Sequence, residues 1–196
     1  MRVPENGPSE SSSAMKRSAS RSRGASQSKL GQIRLFATDV DGVLTDAGMY
    51  YSESGDEWKK FNTRDGMGIK LLQKAGLITA IVTQERTKLV ARRAEKLAIP
   101  EVHQGAMDKL SVVCEMADRY GITLEQVAYI GDDINDVETL KAVGFSAAPA
   151  DGLPPVLAIV DYVCRKKGGE GAVREMIDII LAAQQRAVSS VGGKHR

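Results

Sequence analysis

Short apolar runs alternate with longer amphipathic segments along most of this chain. A strand buried on both faces is a continuous apolar run, whereas a helix repeats its apolar positions about every 3.6 residues. The pattern therefore predicts strands at 33–38, 78–83, 102–103, 127–130, 144–148 and 162–164, and helices at 65–74, 86–97, 109–120, 133–143 and 172–183. This alternation predicts an α/β fold with a Rossmann-like, doubly wound parallel sheet.

A polar and aromatic stretch at 48–62 interrupts the alternation after the first strand. Ser54 and Gly55 form a turn signal in its middle. We therefore expect a small β-hairpin at this point, before the first helix begins.

The two ends of the 196-residue chain differ in composition from its middle. Residues 1–30 are rich in Ser, Arg and Gly with a net charge of +4, and residues 186–196 add three positive charges. Since the total is +2, residues 31–185 carry −5. We expect a disordered basic leader at 1–30, one folded domain at 31–183 and a flexible tail at 184–196. A nucleic-acid-binding protein would carry basic groups on its folded part, so no nucleic-acid partner is expected.

Several kinds of site and location are disfavoured by what the sequence lacks. It has no apolar run long enough to cross a bilayer and no apolar segment of a secretory signal, so we expect a cytoplasmic protein without a membrane partner. The isolated Cys114 and Cys164 fit neither a zinc site nor a disulfide framework. With only His103 and His195, histidine-ligated metals and a Ser-His-Asp triad are poorly supported.

Polar side chains follow several of the predicted strands where those strands end. Asp39 and Asp41 come after the first strand, Thr83 ends the second, and Asp132 follows the strand at 127–130. Lys109 begins a helix after the strand between them. The carboxyl ends of parallel strands meet at one edge of the sheet, where ligands bind. We therefore expect these groups to lie together.

This set of groups has the chemistry that phosphoryl transfer needs. Asp39 and Asp41 lie on the same side of an extended segment, and two carboxylates that close favour a bound cation. Together with Asp132 they offer the oxygen ligands that suit Mg²⁺. Lys109 and the hydroxyl of Thr83 can hold phosphate oxygens. Capping of helices is the simpler reading of any one acid, such as Asp133 or Asp65, but it does not explain the whole set.

Four motifs resemble the signatures of the haloacid dehalogenase superfamily, in the proper order and over about residues 32–182. They are TDVDGVLTD, Thr83, Lys109 and GDDINDVETL. The resemblance implies a phosphoric monoester hydrolase in which Asp39 attacks phosphorus, giving an aspartyl-phosphate, while Asp41 acts as general acid and then base. It also implies that Asp39, Asp132 and the backbone carbonyl of Asp41 bind Mg²⁺. Asp133 and Asp136 would support the metal and Lys109.

No segment has the length of a large cap domain, so the hairpin at 48–62 is the only candidate cover of the site. This layout, with the segments FNTRDGMGIKLL, GAMDKL and KKGGEGAVREMIDIIL, resembles the capless 3-deoxy-2-keto sugar acid phosphatases. That group implies a homotetramer whose subunits complete one another's sites. Its substrates are octulosonate 8-phosphate, for lipopolysaccharide synthesis, or nonulosonate 9-phosphate, for sialic-acid-type sugars.

The choice of substrate is assigned to the charged segment TQERTKLVARRAEKL. Glu85, Arg93 and Lys96 match the nonulosonate branch, which is therefore favoured, with octulosonate 8-phosphate as the alternative. Arg174 is a further candidate contact near the site entrance. Gln84 departs from the Gly of both branches. A solvated charged helix is the simpler interpretation of this segment.

Functions of two other classes are alternatives for this chain. A phospho-receiver domain uses an Asp pair, Thr and Lys, but its phosphorylated Asp comes after the acidic pair, whereas here the pair Asp39 and Asp41 leads and Asp132 follows near the end of the sheet. A phosphatase-like domain of the acylneuraminate cytidylyltransferase lineage, with an assembly role, is the second alternative. The intact acids argue against a purely structural domain.

Overall fold

The computed structural model describes residues 29–192, and a six-stranded sheet forms its centre. The strands are β1 (Leu35–Thr38), β2 (Tyr50–Tyr51), β3 (Glu57–Trp58), β4 (Ile78–Thr83), β5 (Glu101–Gln104), β6 (Val127–Ile130), β7 (Phe145–Ala148) and β8 (Tyr162–Val163). The main sheet has the order β5–β4–β1–β6–β7–β8, and all neighbouring strands are parallel. The predicted doubly wound parallel sheet is confirmed.

Helices cover both faces of this sheet. They are α1 (Thr63–Lys74), α2 (Lys88–Leu97), α3 (Lys109–Arg119), α4 (Val137–Ala142), α5 (Pro154–Leu157) and α6 (Ala172–Gly192). Phe36 of β1 packs in the core that contains α1, α2 and α6, whereas its neighbour Leu35 packs in the core that contains α3 and α4. Successive strand residues point to opposite faces, so β1 is apolar on both sides and wholly buried.

β1 occupies the position in the sheet where the chain changes direction. β4 and β5, which follow β1 in the chain, lie on one side of it, and β6, β7 and β8 lie on the other side. The crevice at such a point, beyond the carboxyl ends of the strands, is where open α/β sheets bind ligands. Asp39 follows β1 directly, at the centre of this crevice.

The predicted hairpin is present as the antiparallel pair β2 and β3. Its turn closes with the Ser52 amide donating to the Asp56 carbonyl at 2.9 Å. An isolated bridge pairs Thr45 with Phe61 at the base of the hairpin. The hairpin is thus attached at both ends to the loop that follows Asp39.

An aspartate on α1 caps a different helix. Asn62 is the N-cap of α1, while the buried Asp65 accepts a hydrogen bond from the Arg174 amide of α6 at 2.8 Å through Oδ1. Asp65 Oδ2 is buried and has no hydrogen-bond partner among the described residues. Burial raises the pKa of Asp65 to about 6, although the Arg174 hydrogen bond acts in the opposite direction. Asp65 is thus a helix cap, but of the last helix rather than of its own.

Some element bounds differ from those predicted. The helix predicted at 133–143 starts as a short 3₁₀ turn, Ile134–Asp136, with Asp133 as its N-cap, before α4. The short α5 was not predicted; it begins with Pro, which is tolerated at the first helical position. α6 continues to Gly192 through part of the predicted tail, because Ala, Gln and Arg are strong helix formers.

The predicted leader falls almost entirely on residues 1–28, outside the described part of the chain. Within residues 29–192, no helix combines the length and apolar character that crossing a bilayer requires.

Candidate active site

Asp39 is held at the carboxyl end of β1 in a nearly dry environment. Its backbone amide continues the sheet by donating to the Ile130 carbonyl at 3.0 Å. Its carboxylate Oδ1 accepts from the Val40 amide at 2.7 Å, and Oδ2 lies 2.8 Å from Lys109 Nζ. Burial, and then the charge of Asp136, raise the pKa of Asp39 to about 7. A carboxylate here needs compensating positive charge to ionise fully.

Lys109 supplies part of that charge from the first turn of α3. Asp108 caps this helix, and the Lys109 side chain is buried below the sheet edge. Its Nζ lies 2.8 Å from Asp39 Oδ2 and 2.7 Å from Asp136 Oδ1. Burial alone would lower the pKa of Lys109, but the charges of Asp39 and Asp136 raise it above its ordinary value. Lys109 is therefore a fixed ammonium between two carboxylates.

Asp136 is fully occupied by four hydrogen bonds and acts as a support. Oδ1 accepts from Lys109 and, at 2.6 Å, from the hydroxyl of Tyr129. Oδ2 accepts from the backbone amides of Asp132 at 3.1 Å and Asp133 at 3.3 Å. This arrangement holds the loop after β6 in place, as a supporting role for Asp136 requires.

Tyr129 was missed by the sequence reasoning. It is wholly buried on β6, and burial followed by the charge of Asp136 raises its pKa well above the ordinary value. It therefore remains a protonated donor to Asp136. The sequence could have indicated Tyr129, because it places a hydroxyl within the apolar run VAYI and a buried Tyr hydroxyl needs a hydrogen-bond partner.

Asp132 meets Asp39 across the crevice and leaves an oxygen free. Asp39, Asp132 and Asp136 each offer an oxygen within 4.8 Å of the others. Asp132 Oδ1 is buried without a hydrogen-bond partner in the described residues. Burial, and then the charges of Asp39 and Asp136, raise the pKa of Asp132 to about 8. Since Asp136 is already saturated, Asp39 and Asp132 are the carboxylates that fit a hard divalent cation such as Mg²⁺.

Gly42 permits this approach. Its φ is +78°, and a Cβ at this position would lie 2.0 Å from Asp132 Oδ2. Any side chain at position 42 would thus be strained and would displace the Asp132 carboxylate. The glycine after the Asp39 to Asp41 segment is required by the geometry of the carboxylate cluster.

Asp41 is joined to a residue that the sequence reasoning did not single out. Its Oδ1 lies 2.5 Å from Lys59 Nζ, and the same ammonium lies 2.6 Å from Glu85 Oε2. Burial disfavours the ammonium, but the hydrogen bonds to Asp41 and Glu85 raise the pKa of Lys59 above its ordinary value. Lys59 directly follows the hairpin, and its charged side chain therefore connects the hairpin to the site.

A cavity of about 210 Å³ opens above Asp39. Gln84 and Asn135 form a hydrogen bond of 3.1 Å between the loops after β4 and β6, which flank β1. Apart from Ala47, the cavity is lined by acidic and polar residues: Asp39, Asp41, Thr83, Gln84, Glu85, Asp132, Asp133 and Asn135. The sequence-predicted residues of the sheet edge are thus brought together, with Lys109 beneath Asp39.

Three of the four residues that the sequence assigned to substrate specificity lie away from this cavity. Arg93 donates to the Asn62 carbonyl at 2.9 Å and stacks 5.4 Å from the centre of the Phe61 ring. Lys96 is exposed on the last turn of α2. Arg174 pairs with Asp178 at 2.8 Å and lines a separate cavity of about 420 Å³ along α6. Of the four predicted specificity residues, only Glu85 lines the Asp39 cavity of its own protomer.

Known proteins resemble this chain in both sequence and structure. A family model described as haloacid dehalogenase-like hydrolase matches residues 80–177. The 3-deoxy-D-manno-octulosonate 8-phosphate phosphatase of Yersinia pestis is 44% identical over 164 residues, which cover 84% of this chain and 88% of that protein.

Two solved structures carry metal ions. The phosphatase of the same name from Moraxella catarrhalis, in complex with magnesium, phosphate and KDO, has a TM-score of 0.80 at 38% identity, covering 86% of this chain and 97% of that one. A cobalt-bound form from Haemophilus influenzae has a TM-score of 0.77 at 41% identity, covering 80% of this chain and 92% of that one. These structures and the carboxylate cluster support the predicted magnesium cofactor.

Proposed function

The chain belongs to the haloacid dehalogenase-like hydrolase family and is a phosphoric monoester hydrolase; from this premise we propose that it hydrolyses a 3-deoxy-2-keto sugar acid phosphate, with Asp39 as the nucleophile. The observation that carries the proposal is the buried Asp39 beside Lys109, facing a cavity that Asp41, Thr83 and Asp132 share. Such a set supplies a nucleophile, a proton carrier and fixed positive charge in one place.

The proposed reaction has two displacements at phosphorus. A carboxylate oxygen of Asp39 forms a bond to phosphorus, the ester P–O bond breaks, and Asp41 gives a proton to the departing alkoxide. Water then attacks phosphorus of the aspartyl-phosphate, Asp41 takes the proton of that water, and the Asp39 carboxylate is released with inorganic phosphate. Lys109 compensates charge beside Asp39 in both steps, and the Thr83 hydroxyl offers a hydrogen bond to a phosphate oxygen.

Asp39, Asp132 and the backbone carbonyl of Asp41 would hold the Mg²⁺. When bound, Mg²⁺ supplies positive charge to the phosphate oxygens. Asp136 keeps the loop of Asp132 in place through the amides of Asp132 and Asp133.

For the substrate we propose octulosonate 8-phosphate. The relatives from Yersinia pestis and Moraxella catarrhalis bear the name of this activity, and the latter was crystallised with KDO. The preference for nonulosonate 9-phosphate that the sequence favoured stays an untested prediction. One observation keeps it as a second candidate: Glu85, one of the residues that motivated it, lines the cavity.

A substrate comparison tests this proposal. With Mg²⁺ present, we expect kcat/KM to be about tenfold or more higher for octulosonate 8-phosphate than for nonulosonate 9-phosphate, because one added carbon unit changes pocket binding by about that factor. Phosphate release from both esters is measured with the wild type, with Glu85→Gln and with Glu53→Gln as an exposed control. A reversed preference in the wild type that is lost in Glu85→Gln but kept in Glu53→Gln would favour the nonulosonate branch instead.

We also propose that the protein is a homotetramer whose subunits complete one another's sites. The hairpin carries four large side chains with high exposure: Met49 (43%), Tyr50 (44%), Tyr51 (66%) and Trp58 (53%). Exposed apolar side chains grouped in this way are typical of an interaction surface. Contacts from a neighbouring subunit would also give roles to Arg93, Lys96 and Arg174, which do not line the cavity of their own protomer.

Light scattering is expected to give four times the chain mass of 21.1 kDa. The double variant Tyr51→Ser/Trp58→Ser should shift the mass toward that of smaller species, because it removes the two most exposed aromatic groups of the hairpin. Ile159→Ser, an exposed apolar position outside the hairpin, is the matched control and should leave the mass unchanged. A monomeric wild type would contradict the proposal.

A further inference from the structure

Lys59 connects the hairpin to the sheet edge through two ion pairs. Its side chain is 0% exposed although it directly follows β3 of the surface hairpin. Nζ lies 2.5 Å from Asp41 Oδ1 and 2.6 Å from Glu85 Oε2. One ammonium thus joins three chain segments: the end of the hairpin, the loop after β1 and the loop after β4.

The surrounding backbone fixes where Lys59 can reach. The bridge between Thr45 and Phe61 ties the strand end beyond Lys59 to the loop that carries Asp41. The next residue, Lys60, points elsewhere: its side chain is 56% exposed and pairs with Asp46 at 3.2 Å. Two adjacent lysines therefore differ in burial and in partner, and only Lys59 reaches Asp41.

The pairing distinguishes the two oxygens of Asp41. Oδ1 accepts from Lys59 and, at the limit of hydrogen-bond length, from the Thr45 hydroxyl at 3.5 Å. Both of these hydrogen bonds from described residues go to Oδ1 and not to Oδ2, and Asp41 lines the cavity. The carboxylate is therefore anchored through one oxygen and keeps the other for a reacting group.

We propose that Lys59 is a positioning residue for proton transfer by Asp41. It holds Oδ1, so that Oδ2 carries the proton to the leaving oxygen and later accepts one from water. A buried ammonium is unfavourable unless it is paired, and replacing it removes the anchor without touching the nucleophile. This inference rests on the proposed hydrolysis through Asp39 and Asp41.

The role predicts a dependence on the leaving group. An alkoxide departs slowly unless it is protonated as the ester bond breaks, whereas p-nitrophenolate is stable enough to leave without a proton. General acid catalysis contributes about 10²–10⁴-fold. Loss of the Asp41 anchor should therefore slow hydrolysis of an alkyl ester far more than that of p-nitrophenyl phosphate. Because kcat/KM covers the steps through the first P–O cleavage, it reports this difference without the later hydrolysis of the intermediate.

The experiment compares octulosonate 8-phosphate with p-nitrophenyl phosphate as substrates of the full chain with Mg²⁺. For Lys59→Met, we expect kcat/KM to fall about 10–100-fold on the sugar acid phosphate and less than about threefold on p-nitrophenyl phosphate. Met keeps the apolar length of the side chain, so the change is mainly the loss of charge. Lys60→Met, the exposed neighbour, is the matched control and should leave both values unchanged.

The outcomes separate this role from a purely structural one. An equal loss on both substrates, or no loss on either, overturns the proposal, since pinning of the hairpin alone would not depend on the leaving group. If Lys59→Met does not fold, Lys59→Ser takes its place, because its side chain is polar but too short to reach Asp41 Oδ1, and an unchanged ratio between the two substrates then contradicts the role. A wild type that hydrolyses neither ester contradicts the proposed function instead.

Discussion

Asp39→Asn is expected to abolish phosphate release, with kcat/KM falling at least ~10⁴-fold on every phosphate ester. The amide has nearly the shape of the carboxylate but cannot attack phosphorus, and it offers one weak ligand oxygen in place of a charged group. The fold should persist, because Asp39 is buried at a pKa of about 7 and a neutral group there relieves its repulsion with Asp136. Phosphate release, together with circular dichroism of the variant, measures both effects.

The matched control for this loss is Asp118→Asn, an exposed carboxylate on α3, the helix that carries Lys109. It should keep wild-type kcat/KM. A second readout follows the covalent bond itself: the wild type quenched in acid during turnover should show a chain heavier by one phosphoryl group, which Asp39→Asn should lack. Retention of a tenth or more of the wild-type activity in Asp39→Asn would exclude Asp39 as the nucleophile.

Lys109→Met is expected to give the largest loss of stability, about 3–5 kcal/mol in the free energy of unfolding at neutral pH. Lys109 lies between Asp39 and Asp136, at 2.8 and 2.7 Å, with a side chain that is 1% exposed. Without it, two buried carboxylates face each other, and one must take up a proton or leave its position. Met fills much of the volume, so lost charge rather than a cavity dominates the change.

Urea denaturation of the metal-free protein measures this loss as a lower midpoint with an unchanged slope. Lys141→Met is the control, because Lys141 forms a surface pair with Glu138 and is 53% exposed; its effect should stay within about 0.5 kcal/mol. Adding Asp136→Asn to Lys109→Met should restore part of the stability, since it removes one of the facing charges. An equal effect of the Lys109 and Lys141 variants would show that the buried network contributes little.

The sheet and its polar edge could be predicted because both depend on local pattern. Each buried strand is a continuous apolar run, and Asp39, Thr83 and Asp132 stand at or just after strand ends, where parallel topology brings them together. No long-range contact had to be known in advance. What the sequence pattern does not give is the order of the strands. The structure shows that β1 lies between β4 and β6.

The contacts that the sequence did not reveal join distant segments of the chain. Lys59 is 18 residues from Asp41 and 26 from Glu85, and the strands of its hairpin have two residues each, too few for a periodic signal. Tyr129 lies in an apolar strand whose pattern does not reveal where the hydroxyl points. Arg93 was assigned to the substrate because it matches the nonulosonate branch; the structure adds contacts of its guanidinium with the Asn62 carbonyl and the Phe61 ring, and the substrate role stays a prediction. In each case the contact depends on a residue that is brought close only by the fold.

Because Asp65 caps α6, the stability that this contact gives to the last helix depends on pH. The pKa of Asp65 is about 6 in the folded chain, above its ordinary value of 3.8, because burial disfavours the charged form. Between about pH 4 and pH 6 the folded state therefore binds more protons at this site than the unfolded state. Its contribution to the free energy of unfolding falls as the pH rises through that window, by at most about 1.4 kcal/mol for each pH unit. Near neutral pH the Asp65 carboxylate is charged, and its charge favours the amino-terminal end of α6. The buried charge is itself unfavourable because it has lost its water. Protonation in mild acid removes this unfavourable contribution.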